Sequence, residues 1–281
     1  MEHEILPTEN SIFEKAQTPS CQNCGAVVSS RFCAACGQKH PQERFTVRAL
    51  LHSAYEHTFE FDRGFFFTLR ELFLHPARVI REYVAGRRSI YANPVKYLAI
   101  WLGISTVLTF AFLDTEKFTR QTYQQMVSQQ TAKVSQKQIR RLQKEQADLS
   151  ALQLQLFQYP QLVYSLLVPL LSAFTLLFFR RSGFNYAENL VFNTYISAQS
   201  IVLFVPFYPL YKLLPNQAGA ISQWGLLAAG LYFAGSGAAF FKRKSYLVAG
   251  LKAFAAYCLA YLLFSLVFGV VGLVYFSITA K

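Results

Sequence analysis

From Val95 onward the chain contains five apolar runs: Val95–Leu113, Leu162–Phe179, Leu190–Leu210, Trp224–Phe241 and Ala253–Ile278. Their only charged residue is Lys96, at an edge. A helix needs about 18 or more such residues to cross roughly 30 Å of hydrocarbon. A soluble helix of this length would show one polar face, yet Leu162–Phe179 and Ala253–Ile278 carry no charge on any face. The chain therefore reads as an all-α integral membrane protein with about five transmembrane helices. Composition agrees: 53% of the 281 residues are hydrophobic and 15% charged, against about a quarter charged in soluble domains. Pro169, Pro206 and Pro209 are expected to kink the second and third spans, since each removes a backbone donor. The glycines near 225–237 read as close helix packing, and Cys258 as a small core residue.

Before the spans, residues 21–40 hold four of the five cysteines as Cys21-x2-Cys24 and Cys33-x2-Cys36. Two such pairs can close a tetrahedral thiolate shell, each turn supplying two ligands. Gly25 and Gly37 follow the second cysteine of each pair, where positive φ lets amides point at sulfur. Ala26–Val28 and Arg31–Cys33 are expected to form a short hairpin across Ser29-Ser30. So small a unit has no core of its own, and metal binding must supply its folding free energy. Structural Zn²⁺ is the expected ion; iron, a redox pair or a disulfide are the other chemistries four cysteines allow. With every ligand position filled by protein, the site has no opening for catalysis.

Between knuckle and spans, the pattern turns helical. Thr46 is placed to cap Val47–Phe59, with Leu50, Leu51, Ala54, Tyr55 and Thr58 along one stripe. Phe65–Leu74 and Ala77–Ala85 follow, the latter with Pro76 at its start and Gly86 as its stop. Both are amphipathic and too short to span, which suits a membrane surface. Arg63, Arg70, Arg78, Arg81, Arg87 and Arg88 are the expected contacts to lipid headgroups; packing as a small soluble unit beneath the spans is the alternative. His52, Glu56 and Glu60 share a helix face, which reads as solvated rather than as a second metal site.

Residues 1–20 are polar and acidic, and are read as a disordered leader without an apolar signal segment. A glutamine-rich insert, 114–158, separates the first two runs; Leu142, Leu149 and Leu156 recur at heptad spacing, which suggests one long helix. The formal net charge is +12, from 27 Lys+Arg and 15 Asp+Glu. Seven basic and two acidic residues lie between Arg63 and Lys96, and Lys242, Arg243, Lys244 and Lys252 are read as one loop. Charge hugging span ends is a topology and lipid signal, and makes nucleic acid an unlikely partner. The bias places the N-terminus in the cytosol, and the insert and C-terminus opposite.

The stretch CQNCGAVVSSRFCAACGQKH, with Thr68, Leu69, Pro76, Tyr83, Gly86, Arg88, Tyr91 and Pro94 after it, resembles the bacterial domain-of-unknown-function family numbered 3667. The resemblance covers about residues 21–98 and implies a zinc-ribbon start before membrane helices, without an activity. In outline the plan is also similar to the Yip family of trafficking membrane proteins.

No nucleophile motif or phosphate-cradling loop is present, and no ionisable group lies deep in a span. The function expected is a non-enzymatic scaffold or adaptor of the bacterial inner membrane. The lipid bilayer, a protein docked on the knuckle and a second copy of the chain are its expected partners. A small-molecule or lipid transporter is the alternative. Reporter fusions test the topology: those after Arg88, within 182–187 and within 243–251 should report cytosol, and those within 125–150 and at Lys281 the far side. A cytosolic 125–150 segment overturns it.

Overall fold

The computed structural model describes residues 20–39, 44, 46–56, 63–113, 160–241 and 245–279. Most of the leader, the 114–158 insert with its heptads, and Lys242–Lys244 lie outside them, as do His57–Asp62. Nine α-helices are described: α1 Val47–Glu56, α2 Arg63–Leu74, α3 Pro76–Val84, α4 Pro94–Phe112, α5 Pro160–Phe178, α6 Tyr186–Phe204, α7 Tyr208–Leu213, α8 Ala218–Phe241 and α9 Tyr246–Thr279. By length and composition, four stretches can cross a membrane: Pro94–Phe112, Tyr186–Leu213, Pro215–Phe241 and Tyr246–Val267. A shorter apolar stretch, Leu166–Phe178 within α5, occupies the place of the remaining run.

Several boundaries differ from the sequence reading for local reasons. Helix α6 starts at Tyr186 rather than Leu190, because Asn185 and Glu188 form a reciprocal capping box. Helix α9 starts at Tyr246, so Lys252 sits in its second turn and not in a loop. Pro169 is retained inside α5. At Pro206 and Pro209, instead of a kinked helix, α6 ends at Phe204, tightens into a 3-10 turn over Val205–Phe207 and restarts as α7. Cys258 faces outward, and so does Leu51, while Leu50 alone of that leucine pair enters the core.

Helix α6 is the centre of the bundle. Val191, Phe192, Tyr195, Ile196 and Ala198 have no exposed surface, with α4, α5 and α8 packed around them and α9 joining α5 to α8. Two pairs of polar groups bond between helices inside the bundle, as an apolar medium favours. Asn193 Nδ2 donates to Thr175 Oγ1 at 2.9 Å, and the Tyr97 hydroxyl to Gln199 Oε1 at 2.6 Å.

Two long-range contacts fix relative sidedness. Arg44, ahead of α1, donates to both Glu188 carboxylate oxygens and to the Gly183 carbonyl at the α5–α6 turn. Arg81 of α3 donates to the carbonyls of Ala239 and Phe240 at the end of α8. The N-terminal region, the α5–α6 turn and the α8 C-terminus therefore share one face.

Helices α8 and α9 pack through small residues, and a Cβ on Gly237 would run into the Ala253 Cβ. Gly237→Leu should destabilise the bundle by about 1–3 kcal/mol, as overpacking does, seen as a lower melting temperature in detergent. Gly235→Ala, with nothing nearby to meet, should be neutral or stabilising.

Candidate metal centre and its dock

The two CxxC turns are copies of one another, twelve residues apart. In the first, Cys21 N donates to Ala26 O and Gly25 N to Cys21 O; in the second, Cys33 N donates to Gln38 O and Gly37 N to Cys33 O, all at 2.8 Å. Gly25 and Gly37 take φ of 76° and 72° as the spacing requires. The expected hairpin across Ser29-Ser30 does not form. Each knuckle closes on itself, through the bridges Ser20 with Val27 and Phe32 with Lys39. The reason is geometric: the ligand turn already uses the flanking residues for its own closure.

All four sulfur atoms lie within 4.8 Å of one another, close enough to hold one metal ion. Cys21 and Cys36 approach to 3.6 Å, Cys24 and Cys33 to 3.5 Å. A tetrahedral ion with sulfur at about 2.3 Å sets edges of about 3.8 Å, whereas a disulfide needs about 2.05 Å. The cysteines are free thiols. The Ala26 amide favours the Cys24 thiolate, but Cys33, desolvation, Cys36 and Cys21 outweigh it and push its pKa up to about 12. Binding an ion would displace such protons and let the four sulfurs ionise together. Cys21 and Cys33 are buried with Val28, and this small cluster is all the core the knuckle has.

The knuckle does not stand free; Gln38 fastens it to the turn after α3. Its Nε2 donates to the Gly86 carbonyl at 2.8 Å, and its Oε1 accepts from the amides of Arg88 and Ser89 at 3.1 and 3.2 Å. Ser89 Oγ donates to the Cys36 carbonyl. Gly86 ends α3 in a Schellman arrangement, with Arg87 N on Glu82 O and Gly86 N on Tyr83 O. Its φ is 111°, and any Cβ there would overlap the Gln22 carboxamide. The left-handed backbone favours glycine here, and the exposed Gln22 side chain would have to move aside for any Cβ.

The other motif positions hold the same turn. Thr68 Oγ1 donates to Gly64 O and accepts from Ala92 N, tying α2 to the entry of α4. Pro76 and Pro94 start α3 and α4. Tyr83 is buried, edge-on to Tyr195, and the Tyr91 hydroxyl donates to Glu82.

The arginines expected at the membrane surface divide. Arg70 is exposed, and the Arg63 side chain lies outside the described residues. Arg78 pairs with Glu71, whose carboxyl its guanidinium holds below the usual range. Arg81 caps α8, and Arg87 pairs with Glu82 at 2.9 Å. Arg88 is partly buried, its Nε directed at the Tyr83 carbonyl, and burial lowers its pKa. Sequence reasoning missed the Arg44–Glu188 pair altogether. Their 144-residue separation leaves no local signal; only the Asn185–Glu188 capping pattern was legible. His52 is exposed, Glu56's side chain and Glu60 lie outside the described residues, and the chain shows no further cluster of metal-ligating residues among those described.

Fold and site together define a multi-pass helical membrane protein with a four-cysteine cluster able to hold a metal ion. Residues 62–106 match the model of the family described as a protein of unknown function, DUF3667, which bears out the family resemblance. The match covers α2, α3 and the first part of α4, and begins after the knuckle. No curated protein and no solved structure matches the chain.

Gly86→Ala should release the knuckle without removing its ligands. A non-glycine residue in that conformation costs about 1–2 kcal/mol, before the overlap with Gln22. Faster amide exchange at Arg88 and Ser89, with metal content unchanged, is the expected result.

Proposed function

We propose that the protein is a non-enzymatic scaffold or adaptor of the bacterial inner membrane, with a structural Zn²⁺ in a cytosolic knuckle that docks a protein partner. The observation that carries this reading is the closed four-cysteine cluster bolted through Gln38 to the turn at the head of the spans. Four thiolates at these separations suit Zn²⁺, and leave no position for substrate. One side of the knuckle is used against Gly86–Ser89. Away from that contact, Val27 and Phe32 are 67% and 54% exposed, with Arg31 next to Phe32 in sequence and Lys39 bridged to it. An exposed apolar pair with a basic rim on a rigid mount suits a partner segment that is apolar and acidic. The exposed flanks of Arg70, Arg78, Arg81 and Arg87, with Arg63 and Arg88, would meet anionic headgroups on the same face.

The transporter reading has one observation in its favour. Asn189 and Asn193 lie one turn apart on α6 with no exposed surface, and among the described residues their Oδ1 atoms meet no donor. That is polar capacity inside the bundle beyond what helix pairing consumes. The scaffold reading is preferred because among the described residues the charged groups of the candidate spans, Lys96, Glu188, Lys212 and Lys252, all lie within about two turns of a span end.

Two measurements test the proposal. The full-length protein should carry one equivalent of zinc, and Cys21→Ser/Cys24→Ser should abolish it; an iron-thiolate absorption band instead would replace zinc by iron. Crosslinking in native membranes should capture a protein that both this variant and Val27→Ser/Phe32→Ser lose, the latter with zinc retained. Loss of an aromatic anchor is worth about tenfold in affinity. If both variants capture the same proteins as the parent chain, the docking role is wrong.

A further inference from the structure

We infer that α2 is an in-plane membrane helix whose outer face is inserted among lipid acyl chains, an anchor made by phenylalanine rather than by arginine.

The depth of α2 follows from its partners. The Phe65 ring lies 5.3 Å from Tyr97 and stacks on Trp101 at 6.1 Å. Trp101 is seven residues into α4, about 10 Å along the helix at 1.5 Å per residue. At the other end of α2, the Leu72 carbonyl accepts the Tyr232 hydroxyl at 2.9 Å. Tyr232 precedes the end of α8 by nine residues, again more than about 10 Å. Between them, Thr68 is bonded to Ala92 at the mouth of α4. Both ends of α2 are thus held alongside stretches that α4 and α8 need in order to cross the bilayer. An interfacial helix sits about 5–10 Å into the headgroup boundary.

The two faces of α2 then have separate uses. Phe65, Thr68 and Leu72 are buried against the bundle, and Glu71 is turned inward to Arg78. Phe66, Phe67, Phe73 and Leu74 point away, and are 67%, 41%, 46% and 56% exposed. Among the described side chains Arg70 is the one charged group on that outer face, and its stem is long enough to run along the apolar patch and bring the guanidinium to a phosphate. Alongside this patch of four large apolar side chains, the outward surface of α4 further along the same span is also apolar, with Ile104, Val107 and Phe110 exposed. The occupant is therefore lipid, in the same bilayer the spans sit in. The inference goes beyond the scaffold reading and does not depend on what docks at the knuckle.

The test uses the full-length protein reconstituted in phosphatidylethanolamine–phosphatidylglycerol nanodiscs, with a genetically encoded benzophenone side chain at position 66 or 73. Both positions are exposed aromatics, so folding is checked by retained metal content and melting temperature. Irradiation should give lipid adducts, mapped by mass spectrometry to the acyl chain, at least several-fold above those from position 31 on the knuckle. Adducts between two chains would make the face a dimer interface, and adducts to a co-purified protein a partner site; either overturns the inference. So does labelling at 66 and 73 no higher than at 31. Repeating the measurement in purely zwitterionic nanodiscs separates the sources of affinity: the acyl adducts should persist, whereas loss of labelling there would show that headgroup charge holds the helix and would overturn the apolar anchor.

Discussion

The turn from Gly86 to Ala92 sits where chain leaves the polar region for the spans, and its backbone polar groups must find partners there. Three different parts of the chain supply them. Gln38 of the knuckle serves the Gly86 carbonyl and the Arg88 and Ser89 amides. Thr68 of α2 accepts from Ala92 N, and Tyr195 of α6 donates to the Ala92 carbonyl. One short segment thereby joins the four-cysteine knuckle, α2 and the centre of the bundle.

The arginines around this turn illustrate how position changes the meaning of a charge. At the sequence level they form a basic platform. In the fold, Arg78 and Arg87 neutralise Glu71 and Glu82, and Arg81 satisfies the terminal carbonyls of α8. A cation at a helix C-terminus is favourable on its own account. Each guanidinium has five donors, so pairing with protein on one side is compatible with facing headgroups on the other.

The knuckle could be read in unusual detail because its information is local. Cysteine spacing and the glycine after each pair all lie within the seventeen residues Cys21 to Gly37, and the four sulfurs came together as that spacing implies. The hairpin expectation failed for an equally local reason: each turn spends its flanking residues on closing itself. The helix starts at Thr46 and Pro76 and the stop at Gly86 were legible from capping chemistry. The starts of α6 and α9 were displaced because hydropathy locates the apolar middle of a helix, whereas capping groups such as Asn185 set its end.

What the sequence by itself determined is the class of object: helices long and apolar enough to cross a bilayer, a four-thiolate cluster ahead of them, and short amphipathic helices between. These follow from composition and spacing over a few turns of chain, where the physics is that of transfer to hydrocarbon and of local backbone geometry. Only the tertiary structure decided which surfaces are spoken for. Gln38 and Gly86 are 48 residues apart, Arg81 and Phe240 159, Arg44 and Glu188 144. Pairings at such separations leave no periodic trace, because they depend on where whole helices come to rest. That placement set the arginines of α3 against protein partners and left Phe66, Phe67 and Phe73 of α2 facing out.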